Sequence, residues 1–169
     1  LEQRGSLVNH EQLRLDFSHS KKLTDEEILQ IEEKVNGWIR DNYQADIQLM
    51  DYDSAVKNGA MALFKENYGD EVRVVRFGNV STELRGRNHV TETTDIGMFL
   101  ITKESSSSKG IRRIEGVTWQ KAYENVVATK KIVKEASEFL STSPEDLLES
   151  ISKLKAKSLE AKKTSASNS

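Results

Sequence analysis

Cysteine is absent from this chain of 169 residues, and proline occurs only once. Without cysteine the protein can form neither a disulfide framework nor a thiolate metal cluster, so a metal site would need histidine, aspartate or glutamate ligands. Long hydrophobic runs are absent too, because no stretch approaches the ~20 apolar residues that span a bilayer. We therefore expect no membrane contact and a cytoplasmic location, with an organelle matrix as the alternative.

Neither sign of charge is in large excess, since 25 Lys and Arg residues face 27 Asp and Glu residues and give a formal net charge of -2. Such a balance argues against a free-standing domain that binds nucleic acid by overall electrostatic attraction. A hydrophobic share of 36% with 31% charged residues is typical of a globular protein. Contact with RNA would therefore depend on a local site.

Helical and strand-like periods alternate along the first 118 residues. Thr24 to Glu27 match a capping box, and the apolar positions after it recur at helical spacing, which predicts a helix over about 25–41. Runs rich in β-branched residues predict strands near 47–49 and over 72–77, 97–102 and 111–118, with a short helix at 54–58. These elements predict an α+β fold, with a mixed or antiparallel sheet packed against helices.

A run of four serines, Ser105 to Ser108, precedes Lys109 and Gly110. This composition predicts a solvated loop between two strands. No glycine-rich cradle followed by a helix accompanies it, which argues against phosphate binding.

From Trp119 onwards, apolar residues step by three and four positions, which predicts a long helix followed by a second one. Ser143 is expected to be the N-cap of the second helix, with Pro144 at its first helical position. So short a turn predicts an antiparallel helical hairpin, which either packs within its own chain or joins chains as a coiled coil. We expect an α+β domain over 1–118, the hairpin over 119–163 and a disordered tail over 164–169.

Seven blocks of sequence resemble the editing domain of alanyl-tRNA synthetases, in order and spacing, over about residues 1–118. The blocks are Gly5-Ser-Leu-Val8, Leu13-Arg-Leu-Asp-Phe-Ser-His19, Gly59-Ala-Met-Ala-Leu-Phe64 with Tyr68-Gly69, Val72-Arg-Val-Val75, Ser81-Thr-Glu-Leu84, Asp95-Ile-Gly97 and Arg112-Arg-Ile-Glu115. The third and the last block are specific, although threonyl-tRNA synthetases and free-standing editing proteins share the wider domain type. The helices after Trp119 also match the helical region next to the editing domain in the full synthetase.

The resemblance implies a fragment of a translation enzyme, the ligase that joins alanine to tRNA(Ala) with ATP in domains outside this chain. The editing region of that family hydrolyses tRNA(Ala) wrongly charged with serine or glycine, so the implied partner is the 3′ end of tRNA(Ala). A second hydrolytic site is needed because a small pocket rejects the added hydroxyl of serine poorly. The family's cofactor is zinc, held by a His-x-x-x-His pair and a Cys-x-x-x-His pair.

The zinc motif that the resemblance implies is altered here. The family's Cys-Gly-Gly-Thr-His is written Arg85-Gly-Arg-Asn-His89, and arginine stays protonated and cannot ligate zinc. His89 is the sole surviving ligand position, because the His-x-x-x-His pair is expected upstream of Gln3, while His10 and His19 fall outside the motif. We therefore expect that this chain binds no zinc and that its hydrolytic activity is impaired or lost.

Two further site residues are assigned by the resemblance. Gln3 matches a glutamine that lines the editing pocket, and Arg112 matches the first arginine of a block that contributes to editing or tRNA binding. The structural alternative is that Arg112 or its neighbour forms an ordinary surface ion pair with Glu83 or Glu115.

Three hypotheses about activity stay open at this point. The first is an active or formerly active deacylase. The second is a catalytically silent relative that serves as an RNA-facing or subunit-joining module, and the third is a scaffold whose pocket motif has been rewritten. Arg85 at the thiolate position and the missing upstream histidines favour silence, and the charge of Arg87 would also repel the amino group of an aminoacyl substrate. We expect a monomer, or a weak dimer formed through 119–163.

Overall fold

The computed structural model describes residues 1–60, 71–84 and 88–167, with side chains described up to residue 163. It divides into two compact units, Leu1–Tyr123 and Glu124–Ser169. The predicted α+β fold is confirmed, since the first unit contains two antiparallel sheets with helices and further helices follow in the second. Among the described residues, no helix is both long enough and apolar enough to cross a membrane.

The larger sheet has four antiparallel strands. They are β1 (Gln3–Val8), β2 (Leu13–Ser18), β6 (Phe99–Ser108) and β7 (Ile111–Thr118). Their order in the sheet is β1-β2-β7-β6, so β7 lies between a strand from the start of the chain and its own hairpin partner. The first two strands were not predicted, because charged residues interrupt the apolar alternation in both.

The smaller sheet consists of β3 (Ala45–Asp51), β4 (Glu71–Phe77) and β5 (Ser81–Leu84), in that order and antiparallel throughout. A short helix, α2 (Tyr52–Lys57), follows β3 directly and is capped by the Asp51 side chain. Buried apolar residues of α2, of the segment after it and of the sheet form the core cluster of this part of the unit, with Met50 packed against it: Ala55, Ala60, Val72, Val74 and Leu84.

Helix α1 (Asp25–Arg40) begins at the capping box that the sequence predicted. The Thr24 side chain accepts a hydrogen bond from the Glu27 amide, and the Glu27 carboxylate accepts one from the Thr24 amide. These two bonds satisfy amides that the first turn of a helix otherwise leaves without partners.

Side chains of α1 cover the free edge of β6. Asn36 bonds both the amide and the carbonyl of Phe99, at 2.8 Å each, and the Glu32 carboxylate accepts from the Ile101 amide at 2.6 Å. An edge strand with unpaired backbone groups invites association with another strand, and these contacts remove part of that edge. The helix therefore both packs on the sheet and terminates it.

The serine run is a strand rather than the loop that its composition predicted. Residues Ser105–Ser108 continue β6 and pair with the start of β7, and the turn is confined to Lys109 and Gly110. Gly110 has a φ of +73°, a conformation that glycine adopts without steric cost. Composition failed here because pairing with β7 supplies the strand's hydrogen bonds regardless of its low intrinsic β preference.

Two helices occupy the C-terminal part of the chain, α3 (Trp119–Phe139) and α4 (Leu147–Ser167). The second helix begins at Leu147. The sequence predicted Pro144, three positions earlier, as its first residue. Ser143 instead caps a preceding turn, where its hydroxyl accepts from the Asp146 amide at 3.3 Å. Val126 and Val133 in α3 and Leu140 just after it are half-buried.

The outer part of the predicted apolar seam is exposed. Ile151 and Leu154 in α4 are 44% and 57% exposed, so about half of each side chain is in contact with solvent. Near the turn the helices are joined by a hydrogen bond from the Ser150 hydroxyl to the Thr142 hydroxyl at 3.1 Å. The lysines of the same helix at 153, 155 and 157 are exposed as well.

Candidate functional site

Gln3 and Arg112, the two pocket residues assigned from the sequence, belong to one row of the four-stranded sheet. Gln3 lies opposite Phe17 in β2, Phe17 lies opposite Arg112 in β7, and Arg112 lies opposite Ser106 in β6. We call these four residues the Arg112 row. Directly paired residues of an antiparallel sheet project to the same face, so the register brings the row together on one side.

Both outer strands are irregular next to this row. The register of β1 shifts between Gln3 and Gly5, and that of β6 shifts between Ser106 and Ser108. Such β-bulges bend a strand and turn a side chain away from its regular direction, and they are common beside functional sites. A third register shift lies farther along β6, between Ile101 and Lys103, so two of the three irregularities of this sheet flank the Arg112 row.

Arg112 forms a two-pronged ion pair with Glu104. Its Nε donates to Glu104 Oε1 at 2.6 Å and its Nη2 donates to Oε2 at 2.7 Å. The Glu104 side chain is only 3% exposed and that of Arg112 is 15% exposed, so this pair is largely removed from water. The guanidinium bonds hold the pKa of Glu104 below its ordinary value, and the Glu104 carboxylate in turn raises the pKa of Arg112.

The neighbouring arginine repeats the arrangement on the other face of the sheet. Arg113 Nε and Nη2 donate to the two carboxylate oxygens of Asp16 at 2.7 Å each. These bonds lower the pKa of Asp16 and raise that of Arg113. The arginine partners are thus Asp16 and Glu104, not Glu83 or Glu115 as the structural alternative had proposed.

His89 lies after β5, beside the smaller sheet rather than in the Arg112 row. Its Nε2 is 3.8 Å from Glu83 Oε2, and its ring lies 6.4 Å from the Phe77 ring, centroid to centroid. A quarter of the His89 side chain is exposed. The imidazole therefore packs on an aromatic ring with a carboxylate within ion-pair distance, an environment that suits an ordinary partly buried histidine.

Zinc does not fit the residues that this chain offers at the implied site. Arg85 occupies the thiolate position in the sequence and lies outside the residues that the structure describes, as does Arg87. Within the described ranges, no three His, Cys, Asp or Glu residues are grouped as metal ligands. His10 is at the tip of the β1-β2 hairpin beside Glu11, and His19 follows β2 next to Phe17.

Glu104 is the residue of this site that sequence reasoning missed. A regular hairpin with Ser108 opposite Ile111 would bring residue 104 opposite Glu115, and the register shift between Ser106 and Ser108 brings it opposite Ile114 instead, on the face of Arg112, so no regular pattern in the sequence predicts it. The loop interpretation of the serine run concealed that register. Chemically, the pair fixes one guanidinium in a defined orientation with two of its five N–H groups engaged.

One known protein family matches the central part of the first unit. Residues 72–115 match the family described as the threonyl and alanyl tRNA synthetase second additional domain. The matched segment runs from β4 to β7 and includes His89, Glu104 and Arg112.

Relatives of known function extend the similarity to most of the chain. The chain is 46% identical over 165 residues to an alanine–tRNA ligase of Saccharophagus degradans. The aligned segment covers 97% of this chain and 19% of that enzyme. The chain is 45% identical over 161 residues to the alanine–tRNA ligase of Rickettsia bellii, covering 95% and 18%, and 41% identical over 156 residues to that of Nostoc punctiforme, covering 92% and 18%. The chain thus spans about a fifth of the length of these relatives.

Proposed function

Because the chain is related over nearly its whole length to one segment of the alanine–tRNA ligases, including the threonyl and alanyl tRNA synthetase second additional domain, we propose that it is the editing region of such an enzyme. The observation that carries the proposal is this match at 46% identity. ATP-dependent ligation of alanine to tRNA(Ala) would belong to the whole protein, with a cytoplasmic location.

The proposed substrate is tRNA(Ala) wrongly charged with serine or glycine, and the reaction is hydrolysis of the ester at the tRNA 3′ end. Serine differs from alanine by one hydroxyl, which a small aminoacylation pocket excludes only weakly, so the enzyme needs a second sieve. The Arg112 row would form one wall of this editing pocket. Gln3 would contact the substrate directly, and Arg112, fixed by Glu104, would act as a positioning residue for the wall.

Hydrolysis is proposed to be impaired in this chain. Arg85 cannot replace a thiolate as a zinc ligand, and Arg85 and Arg87 add two positive charges to the sequence of the zinc motif. A guanidinium attracts the phosphates of the tRNA 3′ end but repels the ammonium group of the esterified amino acid. The remaining function would be binding of the tRNA end with slow hydrolysis or none.

Binding and hydrolysis can be measured separately on the purified chain. Filter binding with tRNA(Ala) and with a tRNA of different acceptor sequence tests recognition, and loss of labelled serine from Ser-tRNA(Ala) tests hydrolysis. We expect tighter binding to tRNA(Ala) and hydrolysis close to the uncatalysed rate. Equal binding to both tRNAs would argue against the editing-region assignment.

Adjacent arginines provide a matched pair of variants for this assay. Arg112→Lys and Arg113→Lys each keep the positive charge and each remove a two-pronged bond to a carboxylate. They act on opposite faces of β7, because successive residues of a strand alternate. We expect weaker tRNA(Ala) binding only for Arg112→Lys, and equal losses in both variants would assign Arg112 a purely structural role.

A second candidate function is a silent module that joins subunits through the C-terminal helices. The exposure of Ile151 and Leu154 favours this alternative, because the side chains available to a partner helix are apolar. Sedimentation of the chain and of its Leu147→Asp/Leu154→Asp variant distinguishes the two. A dimer lost in that variant, with no preference for tRNA(Ala), would support the module.

A further inference from the structure

A small cavity of about 260 Å³ opens at the opposite end of the four-stranded sheet from the Arg112 row, and we call it the Val8 pocket. It lies within the first unit, between the tip of the β1-β2 hairpin, a single 3-10 turn at Thr93–Ile96 and the start of α3. Pockets that enclose a whole small ligand usually measure ~300–1,000 Å³. The Val8 pocket is therefore suited to one ring-sized part of a larger molecule.

The hairpin tip that forms one wall of the pocket is held in place by its own bonds. The Asn9 side-chain oxygen accepts hydrogen bonds from the amides of Glu11 and Gln12 at 2.9 Å each. The Lys121 ammonium lies 3.1 Å from the Glu11 carboxylate and so joins the tip to the first turn of α3. These contacts are internal to the chain, so the pocket is pre-formed, as most binding sites for small groups are.

The lining of the pocket favours a neutral, flat group over an ion. Ile96 contributes to its apolar lining, and Val8, whose side chain is 64% exposed, would leave water on contact with a ligand. The charge of Lys121 is balanced by Glu11, so a phosphate or a carboxylate gains little there. The Gln12 amide adds hydrogen-bond donors and an acceptor to the lining. Apolar walls with such a polar rim suit a nucleobase, which is polar only at its edge.

The Val8 pocket and the Arg112 row lie on the same face of the sheet. Val8 lies opposite Leu13, and Gln3 lies opposite Phe17. Leu13 and Phe17 are four positions apart on β2, which places them on one face and roughly 13 Å apart. Between the two sites Ser6, on the outer strand β1, is exposed. An extended strand of a few nucleotides therefore has an open path along β1 from one site to the other.

We propose that the Val8 pocket holds one base of the unpaired 3′ end of tRNA(Ala), a few nucleotides before the esterified terminal nucleotide. This inference rests on the proposed function, in which the terminal nucleotide lies at the Arg112 row. Unpaired bases of RNA can turn away from their neighbours and enter a protein pocket singly. A base fixed at one end of β1 holds the strand so that its ester reaches Gln3 at the other end, which is a positioning role rather than a catalytic one.

Filling the Val8 pocket with a large side chain tests the proposal. In Val8→Trp the indole occupies the space of the base, whereas Val8→Thr keeps the size of the side chain. Leu29→Trp is the matched control, because Leu29 on α1 is 63% exposed and lies outside the pocket. Filter binding uses intact tRNA(Ala) and tRNA(Ala) trimmed of its unpaired 3′ end. We expect Val8→Trp to bind intact tRNA(Ala) about fivefold or more weakly, and both controls to stay within about twofold of wild type.

The trimmed tRNA separates this subsite from general RNA binding. Wild type and the variants should bind it equally, with circular dichroism as the check on folding; Val8→Phe, with a smaller ring, repeats the test if Val8→Trp does not fold. Selectivity for tRNA(Ala) that persists unchanged in Val8→Trp overturns the subsite and leaves the proposed function standing. Equal losses in Val8→Trp and Leu29→Trp, or a loss that extends to the trimmed tRNA, also overturn the subsite. A wild-type chain without selective binding overturns the proposed function as well.

Discussion

Replacing Glu104 with glutamine tests whether the Arg112 pair contributes to the stability of the first unit. The change keeps the shape of the side chain but turns one of its two acceptors into a donor that faces the guanidinium. Glu104 accepts bonds of 2.6 and 2.7 Å from Arg112, and its side chain is 3% exposed. A hydrogen bond to a charged group contributes about 1.5–3 kcal/mol, so we expect a loss of about 2 kcal/mol at pH 7. For a chain of this size that corresponds to a fall in Tm of about 4–8 °C.

Glu2→Gln is the matched control for this variant. Glu2 also pairs with an arginine, Arg4, at 2.7 Å, but their side chains are 70% and 53% exposed. Exposed ion pairs contribute under about 1 kcal/mol because water and salt screen them. Thermal unfolding followed by far-UV circular dichroism should therefore separate the two variants. Equal, small shifts in both would refute the argument that burial makes the Glu104 pair stabilising.

The stability difference between wild type and Glu104→Gln should change with pH in a defined direction. The pKa of Glu104 is held below its ordinary value of 4.5 by the Arg112 bonds. A carboxyl whose pKa is lower in the folded state stabilises the fold fully above its unfolded pKa and loses that contribution as pH falls through its folded pKa. The stability difference between wild type and Glu104→Gln should stay constant above pH 4.5 and shrink below it. A difference that grew on acidification would contradict the assigned pairing.

Three further predictions concern other parts of the chain. Thr24→Ala removes one half of the capping box and should cost about 1 kcal/mol in urea unfolding, whereas Thr24→Ser should be nearly neutral. Gly97→Ala should destabilise the chain by about 1 kcal/mol or more, because Gly97 has a φ of +70° and a Cβ there would lie 2.7 Å from Trp119 Cδ1; Gly110→Ala, at a φ of +73° with nothing within 4 Å, should cost less. Elemental analysis should find no stoichiometric zinc, and one tightly held zinc per chain that is lost in His89→Ala would be the opposite result.

Local signals in the sequence predicted the elements that local interactions define. Helix α1 was found from Thr24, Glu27 and the helical period after them, and the structure contains that capping box. Strands β4 and β7 were found from β-branched residues at alternate positions. In each case the information lies within a few neighbouring residues, which is the range over which propensity and periodicity act.

Contacts between distant residues decided what the sequence did not reveal. The serine run became part of β6 because β7 pairs with it, and β2 pairs with β7 although 97 residues separate Asp16 from Arg113. Charged residues such as Asp16 disguise a strand until the partner that neutralises them, here Arg113, is known. The same reason hid Glu104, since only the hairpin register reveals it as the counterion of Arg112.

The candidate site also combines features that the sequence predicted with features that only the structure revealed. Motif resemblance identified Gln3 and Arg112 separately, and the sheet register then placed them in one row with Phe17 between them. Resemblance could not supply the ion pairs, because sequence similarity gives no side-chain geometry. The roles of Gln3, Arg112 and His89 stay predictions until binding and hydrolysis are measured.

The most direct test of the editing-region proposal is a single titration of the purified chain with labelled Ser-tRNA(Ala), in which bound tRNA and released serine are counted in the same samples. The proposal predicts saturable binding that uncharged tRNA(Ala) displaces and a tRNA of different acceptor sequence does not, with serine released near the uncatalysed rate. Absence of selective binding would contradict the assignment as an editing region. Selective binding with rapid release of serine would contradict the proposed loss of hydrolysis.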